Sequence, residues 1–474
     1  MTEMNENPLA LLPELFLLLG AAGGLLLGLV LPRRRQWVVR ALAGTALLAG
    51  ILAAAAATTA GPRTVFGGAY AIDIATNATR LIVLAATLLV LCLSADTVRD
   101  HPRETEYYTL LLLGALGAVT LAGADDLLLL AAAYLLASVP LYALVGFAKD
   151  RLGTEAALKY YLLGALLGAT LLAGIAVLYG AGGGTAYPTL RDGLPAAPEA
   201  AVAVGFVAVL AGLLFKTGAV PGHFWVPDVT EGAPTPVAAF VTTVPKIGGL
   251  VATYRLVAAA LPSTLDWPLL LAVIAVTSMT LGNLAAFYQD SPRRLLAYST
   301  ISQVGYLLLP VVAAGRSDLA LPALLYYLAG YAVTNLAAFA VVAELPQATR
   351  LADYAGLFRR QPALALTLVV ALLGLVGTPP TAVFVGKLTA FSAALDSGYG
   401  WLAVAAALNT VASVFYYLRW VAPTFLRPPP ADTTVLQPAG HWAAAGAYTA
   451  GAASLALGLA SGPALDLLTG TLAR

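Results

Sequence analysis

Four of the five lysines lie inside long apolar segments, where charged side chains are rare: Lys159, Lys216, Lys246 and Lys387. A lysine at the centre of a membrane costs about 2.5–3.5 kcal/mol on insertion scales, and such residues usually mark ion pathways. A buried lysine can exist as the neutral amine, so it can take up and release a proton, whereas arginine stays charged. This pattern predicts proton transfer along a row of lysines.

The four lysines differ in the structural role that competes with proton transfer. Lys216 and Lys387 lie beside helix breakers, where a structural role needs a partner that the sequence does not reveal, and Lys246 follows a proline. We therefore favour proton transfer for these three. Lys159 follows Glu155 by four residues, so a helical ion pair or a snorkelling side chain explains it as well as a proton relay does.

Other polar residues surround these lysines in the sequence. His223 is equally consistent with a proton relay and with a histidine that bonds to the loop backbone. Asp228 and Glu231 are expected to cap or tie the loop that contains them. Residues 293–306 add hydroxyls and an amide to an apolar helix, where they could hold waters along a proton path or join neighbouring helices. The residues of this segment are Tyr298, Ser299, Thr300, Ser302, Gln303 and Tyr306.

The elements that must position these residues are membrane helices. The chain of 474 residues is 60% hydrophobic and only 10% charged, so we expect an all-α polytopic membrane protein. The first apolar run has no basic region before it, which indicates a transmembrane helix and not a cleaved signal peptide. We expect fourteen helices, near 10–31, 37–58, 77–96, 106–122, 126–147, 156–180, 199–230, 234–260, 267–288, 294–314, 319–344, 362–395, 400–423 and 440–462.

Composition also excludes several kinds of site. The single cysteine, Cys92, excludes a disulfide framework and a cysteine metal site. The three histidines are scattered, and the sequence contains no haem or iron–sulfur motif. A net charge of +1 gives no reason to expect a nucleic-acid partner.

Two predicted segments, 199–230 and 362–395, are too long for one simple span and contain helix breakers. Paired broken helices in corresponding places are typical of transporters built from repeats. Within a single membrane domain of residues 1–474, we predict inverted repeats of helices 4–8 (106–260) and 9–13 (261–423). Helices 1–3 (1–105) and helix 14 (424–474) flank these repeats. The breakers are Gly218, Pro221, Gly377, Pro379 and Pro380.

The distribution of arginine predicts the orientation of the chain. Alternate loops collect positive charge, as at Arg33–Arg35, Arg293–Arg294 and Arg359–Arg360, which is typical of the cytoplasmic side. An even number of helices then places both termini on the non-cytoplasmic side.

Five strings carry a family resemblance: EAALKYYLLGA, FKTGAVPGHFWVPDVTEGAPTPV, VPKIGG, RRLLAYSTISQVGY and GTPPTAVFVGK. From about helix 4 to helix 13 the chain resembles the antiporter-like subunits of respiratory complex I, the proton-pumping NADH:quinone oxidoreductase. These are related to large subunits of Mrp-type sodium/proton antiporters. The string PDVTEGAPTPVAAFVTTVPKIGG is most similar to the subunit N branch of the family, which includes mitochondrial subunit 2.

The resemblance implies two inverted five-helix repeats, through which quinone reduction elsewhere in the complex drives protons. Lys216 matches the central proton carrier, Lys246 and Lys159 match family lysines of helices 8 and 6, and Lys387 matches a lysine on the route to one face or the neighbouring subunit. No cofactor would be bound by this subunit; NADH or another donor, flavin, iron–sulfur clusters and quinone would act elsewhere in the complex. Its partners would be antiporter-like and small subunits of the membrane arm, and lipids, in a bacterial cytoplasmic (inner) membrane.

One position departs from the family pattern. Relatives usually carry a glutamate five residues before the proline of helix 5, but Leu135 stands there, and Asp125 and Asp126 lie roughly 14 Å away along a helix. The charged form of Lys216 then lacks its usual partner. Gln303 is a smaller departure, because many relatives carry histidine there. A proton-translocating subunit is the leading hypothesis; the alternatives are an Mrp-type sodium/proton antiporter subunit and a scaffold that has stopped pumping.

Overall fold

The computed structural model describes residues 7–262, 266–428 and 438–473, and nearly all of them are helical. Part of the predicted C-terminal region 424–474 lies outside the described residues. Both chain termini, for which the sequence predicts a side of the membrane, also lie outside them. The helices are α1 Leu12–Val30, α2 Trp37–Ala57, α3 Ile74–Val98, α4 Glu104–Gly123, α5 Leu127–Leu136, α6 Val139–Val145, α7 Arg151–Gly182, α8 Tyr187–Gly193, α9 Glu199–Thr217, α10 Trp225–Gly232, α11 Thr235–Ala259, α12 Trp267–Ala286, α13 Pro292–Val312, α14 Ala320–Glu344, α15 Leu357–Arg360, α16 Pro362–Val376, α17 Ala382–Asp396, α18 Gly400–Leu426, α19 Trp442–Leu459 and α20 Ser461–Asp466. Short 3-10 turns occupy Pro8–Leu11, Arg33–Arg35, Leu194–Ala196 and Leu351–Tyr354.

Twelve segments of the described chain are long and apolar enough to cross a membrane, and α16 is a shorter apolar helix. The chain is therefore a polytopic, almost entirely helical membrane protein. In the apolar stretch of α11, 100% of the residues are buried inside the protein. The share is 94% for α13 and 89% for α14, but only 33% for α7 and α18. The helices that carry Lys246 and the polar 293–306 segment thus lie at the centre of the bundle.

Two short strands add a feature that the all-α prediction lacked. Strands β1 (Arg63–Val65) and β2 (Tyr70–Ile72) pair in antiparallel fashion, with Arg63 opposite Ile72. Gly67 and Gly68 take positive φ angles in the connecting turn, a conformation that glycine adopts without a steric penalty. Strands of three residues are too short to produce a recognisable alternation, so the sequence pattern did not reveal them.

The helix predicted at 126–147 is interrupted. α5 ends at Leu136 and α6 begins at Val139, which leaves Ala137 and Ser138 between them. Pro140 has no backbone N–H and cannot donate to the Leu136 carbonyl one turn earlier, so the helix cannot continue regularly. The interruption leaves polar backbone and side-chain groups of residues 137–138 available to neighbouring helices.

Two further interruptions fall at the predicted breakers. α9 ends at Thr217, and Gly218 takes a left-handed φ of 75° before the chain turns into α10. α16 ends at Val376, and Gly377 takes a φ of 92° before α17. A helix end leaves carbonyl groups without intrahelical partners, so each interruption places acceptors inside the bundle.

Candidate functional site

Lys216 lies in the last turn of α9 and is fully buried. Its Nζ donates hydrogen bonds to the carbonyl of Ala137 (3.0 Å) and to Oγ of Ser138 (2.5 Å). The ring of Tyr134 lies 5.1 Å from the same nitrogen. The interruption between α5 and α6 therefore supplies neutral acceptors to this lysine.

Leu135 does not face this lysine in the way a pairing residue would. Its side chain is 48% exposed on the outer surface of the chain, whereas the neighbouring Tyr134 points inward. Within the described residues, none of Lys216, Lys246 and Lys387 has a carboxylate oxygen within 4.0 Å. The glutamate missing from the sequence is thus not replaced by another described carboxylate of this chain.

Lys246 lies on α11, is fully buried, and has no hydrogen-bond partner for its Nζ among the described residues. The ring of Trp225 is 5.9 Å from Nζ. A Cβ atom added at Gly218 would come within 3.0 Å of Nζ, and one added at Gly249 would come within 3.3 Å of Cγ of Lys216. The two glycines therefore let α9 and α11 bring both lysines beside the interruption after α9.

Lys387 lies on α17, which follows the interruption after Val376. Its Nζ donates to the Val376 carbonyl at the end of α16 (2.8 Å) and to Oγ1 of Thr410 (3.4 Å), and it lies 3.9 Å from the ring centre of Tyr306. The amide of Gln303 donates to the preceding carbonyl, of Leu375 (2.7 Å). Lys387 and Gln303 thus donate hydrogen bonds to two successive carbonyls at the end of α16.

Hydroxyl and amide groups connect the region of Lys246 to that of Lys387. On α14, Tyr331 donates to the Thr242 carbonyl of α11 (2.9 Å), and Asn335 donates to Thr243 (2.9 Å). One turn from Tyr331, Tyr327 donates to the Gln303 side chain (2.7 Å). These contacts form a buried polar axis, which we define as the groups from Lys246 through α14 to Gln303 and Lys387.

Lys159 lies apart from this axis. Its side chain is 45% exposed and pairs with Glu155 and with Asp228, each at 2.8 Å. Asp228 also accepts from Arg294 (3.3 Å), and Glu231 accepts from Ser291 (2.7 Å), so both acidic residues tie the 225–235 region to neighbouring helices.

The remaining predicted residues divide between the axis and its margins. His223 is buried in the turn between α9 and α10, and its Nδ1 has no partner among the described residues. Ser299 shares a hydrogen bond of 2.5 Å with Tyr417, which joins α13 to α18. Tyr306 accepts from Thr410 beside Lys387 (3.2 Å), while Tyr298 is half-buried.

Sequence reasoning missed two buried ion pairs. Arg255 of α11 makes two bonds of 2.8 Å to Asp73, and Arg80 of α3 pairs with Glu14 at 2.7 Å. Burial alone would raise the pKa of Asp73, but the Arg255 guanidinium and backbone N–H donors hold that pKa below its usual range. The signal was present, because these residues are charges in or beside apolar segments, as the lysines are.

The residues of the axis do not form a metal site. Within the described part of the chain, no three histidine, cysteine or acidic side chains come together closely enough to hold a metal ion.

Comparison with known proteins gives results that agree with one another. A family profile described as NADH:quinone oxidoreductase/Mrp antiporter, TM, matches residues 124–413. A protein of Streptomyces griseus, NADH-quinone oxidoreductase subunit N 1, is 58% identical over 466 residues, which is 98% of each chain. A chain of respiratory complex I from Thermus thermophilus superimposes with a TM-score of 0.82 at 34% identity, covering 97% of this chain and 100% of that one. A chain of the Mrp complex from Dietzia has the same fold, with a TM-score of 0.85, 23% identity and coverage of 97% and 96%.

Proposed function

The chain belongs to the NADH:quinone oxidoreductase/Mrp antiporter family, as an antiporter-like subunit N of the proton-translocating NADH:quinone oxidoreductase, and on that premise we propose how its own residues move protons. Lys216, Lys246 and Lys387 are the proton carriers of this subunit. Quinone reduction elsewhere in the complex drives the transfer, and the subunit performs no redox step itself.

The observation that carries this proposal is the isolation of three buried lysines from any described carboxylate. An ammonium group without a counter-ion in an apolar interior is costly, and a neutral amine is much less so. Each lysine therefore holds a proton only while another charge or a set of dipoles offsets it. A proton that arrives at a neighbouring site changes that balance and favours release from the first.

The helix interruptions provide such dipoles. Free carbonyls at the ends of helices carry partial negative charge and favour a cation nearby. Lys216 bonds to Ala137 and Lys387 bonds to Val376, each at an interruption. A small movement of either segment would add or remove this stabilisation and so control when the lysine binds its proton. Lys159, which is exposed and paired with two carboxylates, is the least suited of the four to carry protons.

We further propose the architecture that this function requires. Fourteen helical crossings form two inverted repeats, helices 4–8 and 9–13, with both termini on the non-cytoplasmic side of a bacterial inner membrane. The subunit binds no redox cofactor and contacts neighbouring antiporter-like and small subunits of the membrane arm, together with lipids. The assignment of membrane-arm partners is supported by the 34% identity to a chain of respiratory complex I.

The test is proton pumping driven by NADH in inverted membrane vesicles that contain the whole complex. We expect Lys216→Ala and Lys387→Ala each to lower the protons pumped per electron severalfold. The matched control is Lys149→Asn in a loop, where the φ of 56° is one that asparagine tolerates and no pumping change is expected.

Pumping that stays at the parental level in both lysine variants would leave a scaffold as the function of this subunit. The specific feature that favours the scaffold is Leu135, which stands where relatives usually carry a glutamate and whose side chain is exposed on the outer surface. Pumping that requires sodium would instead indicate the activity of an Mrp-type antiporter.

A further inference from the structure

A cavity of about 640 Å³ opens between the ends of three helices on the predicted cytoplasmic side. Its lining includes Glu344 at the end of α14, Pro362 at the start of α16, and His441, Ala444 and Tyr448 at the start of α19. The loop after α14 carries arginines of the predicted cytoplasmic set, so the cavity opens toward the predicted cytoplasmic side.

Glu344 is the distinctive group of this cavity. The residue is only 2% exposed, and its Oε2 has no hydrogen-bond partner among the described residues. A buried carboxylate oxygen without a partner is rare because desolvation is costly, so it calls for an explanation. The charged and titratable groups that face Glu344 are Asp96 of α3, which pairs with Arg99 at 2.9 Å, and His441 and Tyr448 of α19. None of the described ion pairs includes Glu344.

A line of hydroxyl groups leads inward from the cavity along the contact of α14, α16 and α19. Thr367 of α16 packs against Gly451 of α19, where a Cβ atom would lie 3.1 Å from Thr367 Cγ2. Deeper in the bundle, Thr334 of α14 and Ser454 of α19 share a hydrogen bond of 2.7 Å. Glu344 and Thr334 are ten residues apart on α14, which corresponds to about 15 Å along the helix.

The same contact reaches Lys387. A Cβ atom added at Gly374 of α16 would lie 2.7 Å from Thr334, so Thr334 adjoins the last turn of α16. That turn ends at Val376, whose carbonyl accepts the hydrogen bond from Lys387. The hydroxyls therefore form an interrupted series from the cavity to the helix break after Val376. Waters between them would complete a path.

We propose that this cavity is a proton-uptake vestibule, in which Glu344 accepts protons from cytoplasmic water and passes them along the α14–α16–α19 contact to Lys387. A hydronium ion protonates the Glu344 carboxylate and leaves water. The carboxylic acid then donates its proton through the hydroxyls to the neutral amine of Lys387, which regenerates the carboxylate. The inference rests on the proposed function, since it assumes that Lys387 carries protons.

The test compares Glu344→Gln with the parent in inverted vesicles, whose cytoplasmic face is turned to the medium. We expect Glu344→Gln to lower protons pumped per electron severalfold, with the larger deficit in alkaline medium, where protons are scarce. Glu344→Asp should restore most of the pumping, because it retains a carboxylate that can bind a proton.

The matched control is Glu104→Gln. Glu104 is also a buried glutamate, 3% exposed, with an unpartnered oxygen on the predicted cytoplasmic side, but it lies near Arg40 and Arg99 and away from the α14–α16–α19 contact. We expect parental pumping per electron in this variant. Rates are normalised to the amount of assembled complex, so that a folding defect is separated from a defect in transfer.

Access to the cavity can be tested without changing Glu344. In a Cys92→Ala background, His441→Cys places a thiol at the cavity, and a charged methanethiosulfonate reagent added to the medium should then lower pumping. Parental pumping by Glu344→Gln at every pH, or by the labelled His441→Cys protein, would overturn the proposal if Lys387→Ala still impairs pumping. If Lys387→Ala also pumps normally, it is the proposed function that fails.

Discussion

At the residue scale, the buried cations fall into two groups that differ in their chemistry. Arg80 and Arg255 cannot lose their charge, and each is paired with a carboxylate inside the protein. Lys216, Lys246 and Lys387 have carbonyls, hydroxyls or aromatic rings as neighbours instead. The permanent charges are therefore neutralised locally, whereas the three lysines lack a described carboxylate partner, as their proposed role in proton transfer requires.

Asp125 offers a pH-dependent prediction at this scale. Burial raises the pKa of Asp125 to about 6, although the neighbouring Arg255 acts in the opposite direction, while Asp73 raises it further. An unfolded aspartate has a pKa of about 3.9, so the folded protein binds more protons between these two values. The free energy of unfolding therefore falls as the pH rises through that window and is level above it.

We expect Asp125→Asn to remove this pH-dependent fall in the free energy of unfolding. The Tm of the variant in detergent, measured relative to the parent, should rise as the pH increases from about 4 to about 6 and then stay constant. A difference in Tm that is the same at acidic and neutral pH would contradict the assignment of this titration to Asp125.

At the scale of the element, function depends on where helices stop. Two interruptions, after Leu136 and Val376, bring backbone carbonyls to the side chains of Lys216 and Lys387, and the interruption after Thr217 places Gly218 against Lys246. Continuous helices would bond these carbonyls internally and leave the ammonium groups without acceptors. The glycine after α9 has a second role, because it lies against Lys246.

Gly218→Ala tests that role. The φ of 75° is left-handed, and the new Cβ would lie 2.8 Å from Val226 and 3.0 Å from Lys246 Nζ. Left-handed geometry costs about 1–2 kcal/mol for an L-residue, and the crowding adds to this. We expect a clear fall in Tm and lower pumping per electron.

The matched control is Gly183→Ala. Gly183 has a similar φ of 77°, but no atom lies within 4 Å of the added Cβ. It should carry the backbone penalty alone and leave pumping per electron at the parental level. Equal effects of the two substitutions on Tm and pumping would show that contact with Lys246 is unimportant.

At the scale of the whole molecule, the two predicted halves meet through polar contacts of α14. Tyr331 joins Thr242 of the first half to Thr300 of the second, at 2.9 and 3.2 Å, inside the best-buried helices of the bundle. These bonds lie between Lys246 and Lys387. Under the proposed function, we expect protons to pass between the two predicted halves at these bonds.

Tyr331→Phe should interrupt this passage and preserve the packing of the ring. We expect pumping per electron to fall severalfold while Tm changes little, because one hydroxyl contributes only about 0.5–1.5 kcal/mol. Tyr326→Phe is the control. The hydroxyl of Tyr326, also on α14, donates to the Leu457 carbonyl of α19 (2.8 Å) and lies outside the buried polar axis. Parental pumping in Tyr331→Phe would mean that protons do not cross at this point.

Much of the site follows from the sequence because its signals are local. Long apolar runs predict membrane helices, and a lysine or a glycine–proline break within such a run is visible without knowing the fold. The lysines of the axis and the breakers at Gly218 and Gly377 were identified in this way. The family resemblance likewise depends on continuous strings of residues.

Only the tertiary structure decided which groups meet. Lys216 lies 79 residues from Ala137, and Arg255 lies 182 residues from Asp73, so no local pattern predicts either contact. The exposure of Leu135 and the cavity around Glu344 arise in the same way, from the packing of distant helices. Hydrophobic periodicity specifies that a helix forms and which side is apolar, but the partner of a buried polar group is determined by how the helices pack together.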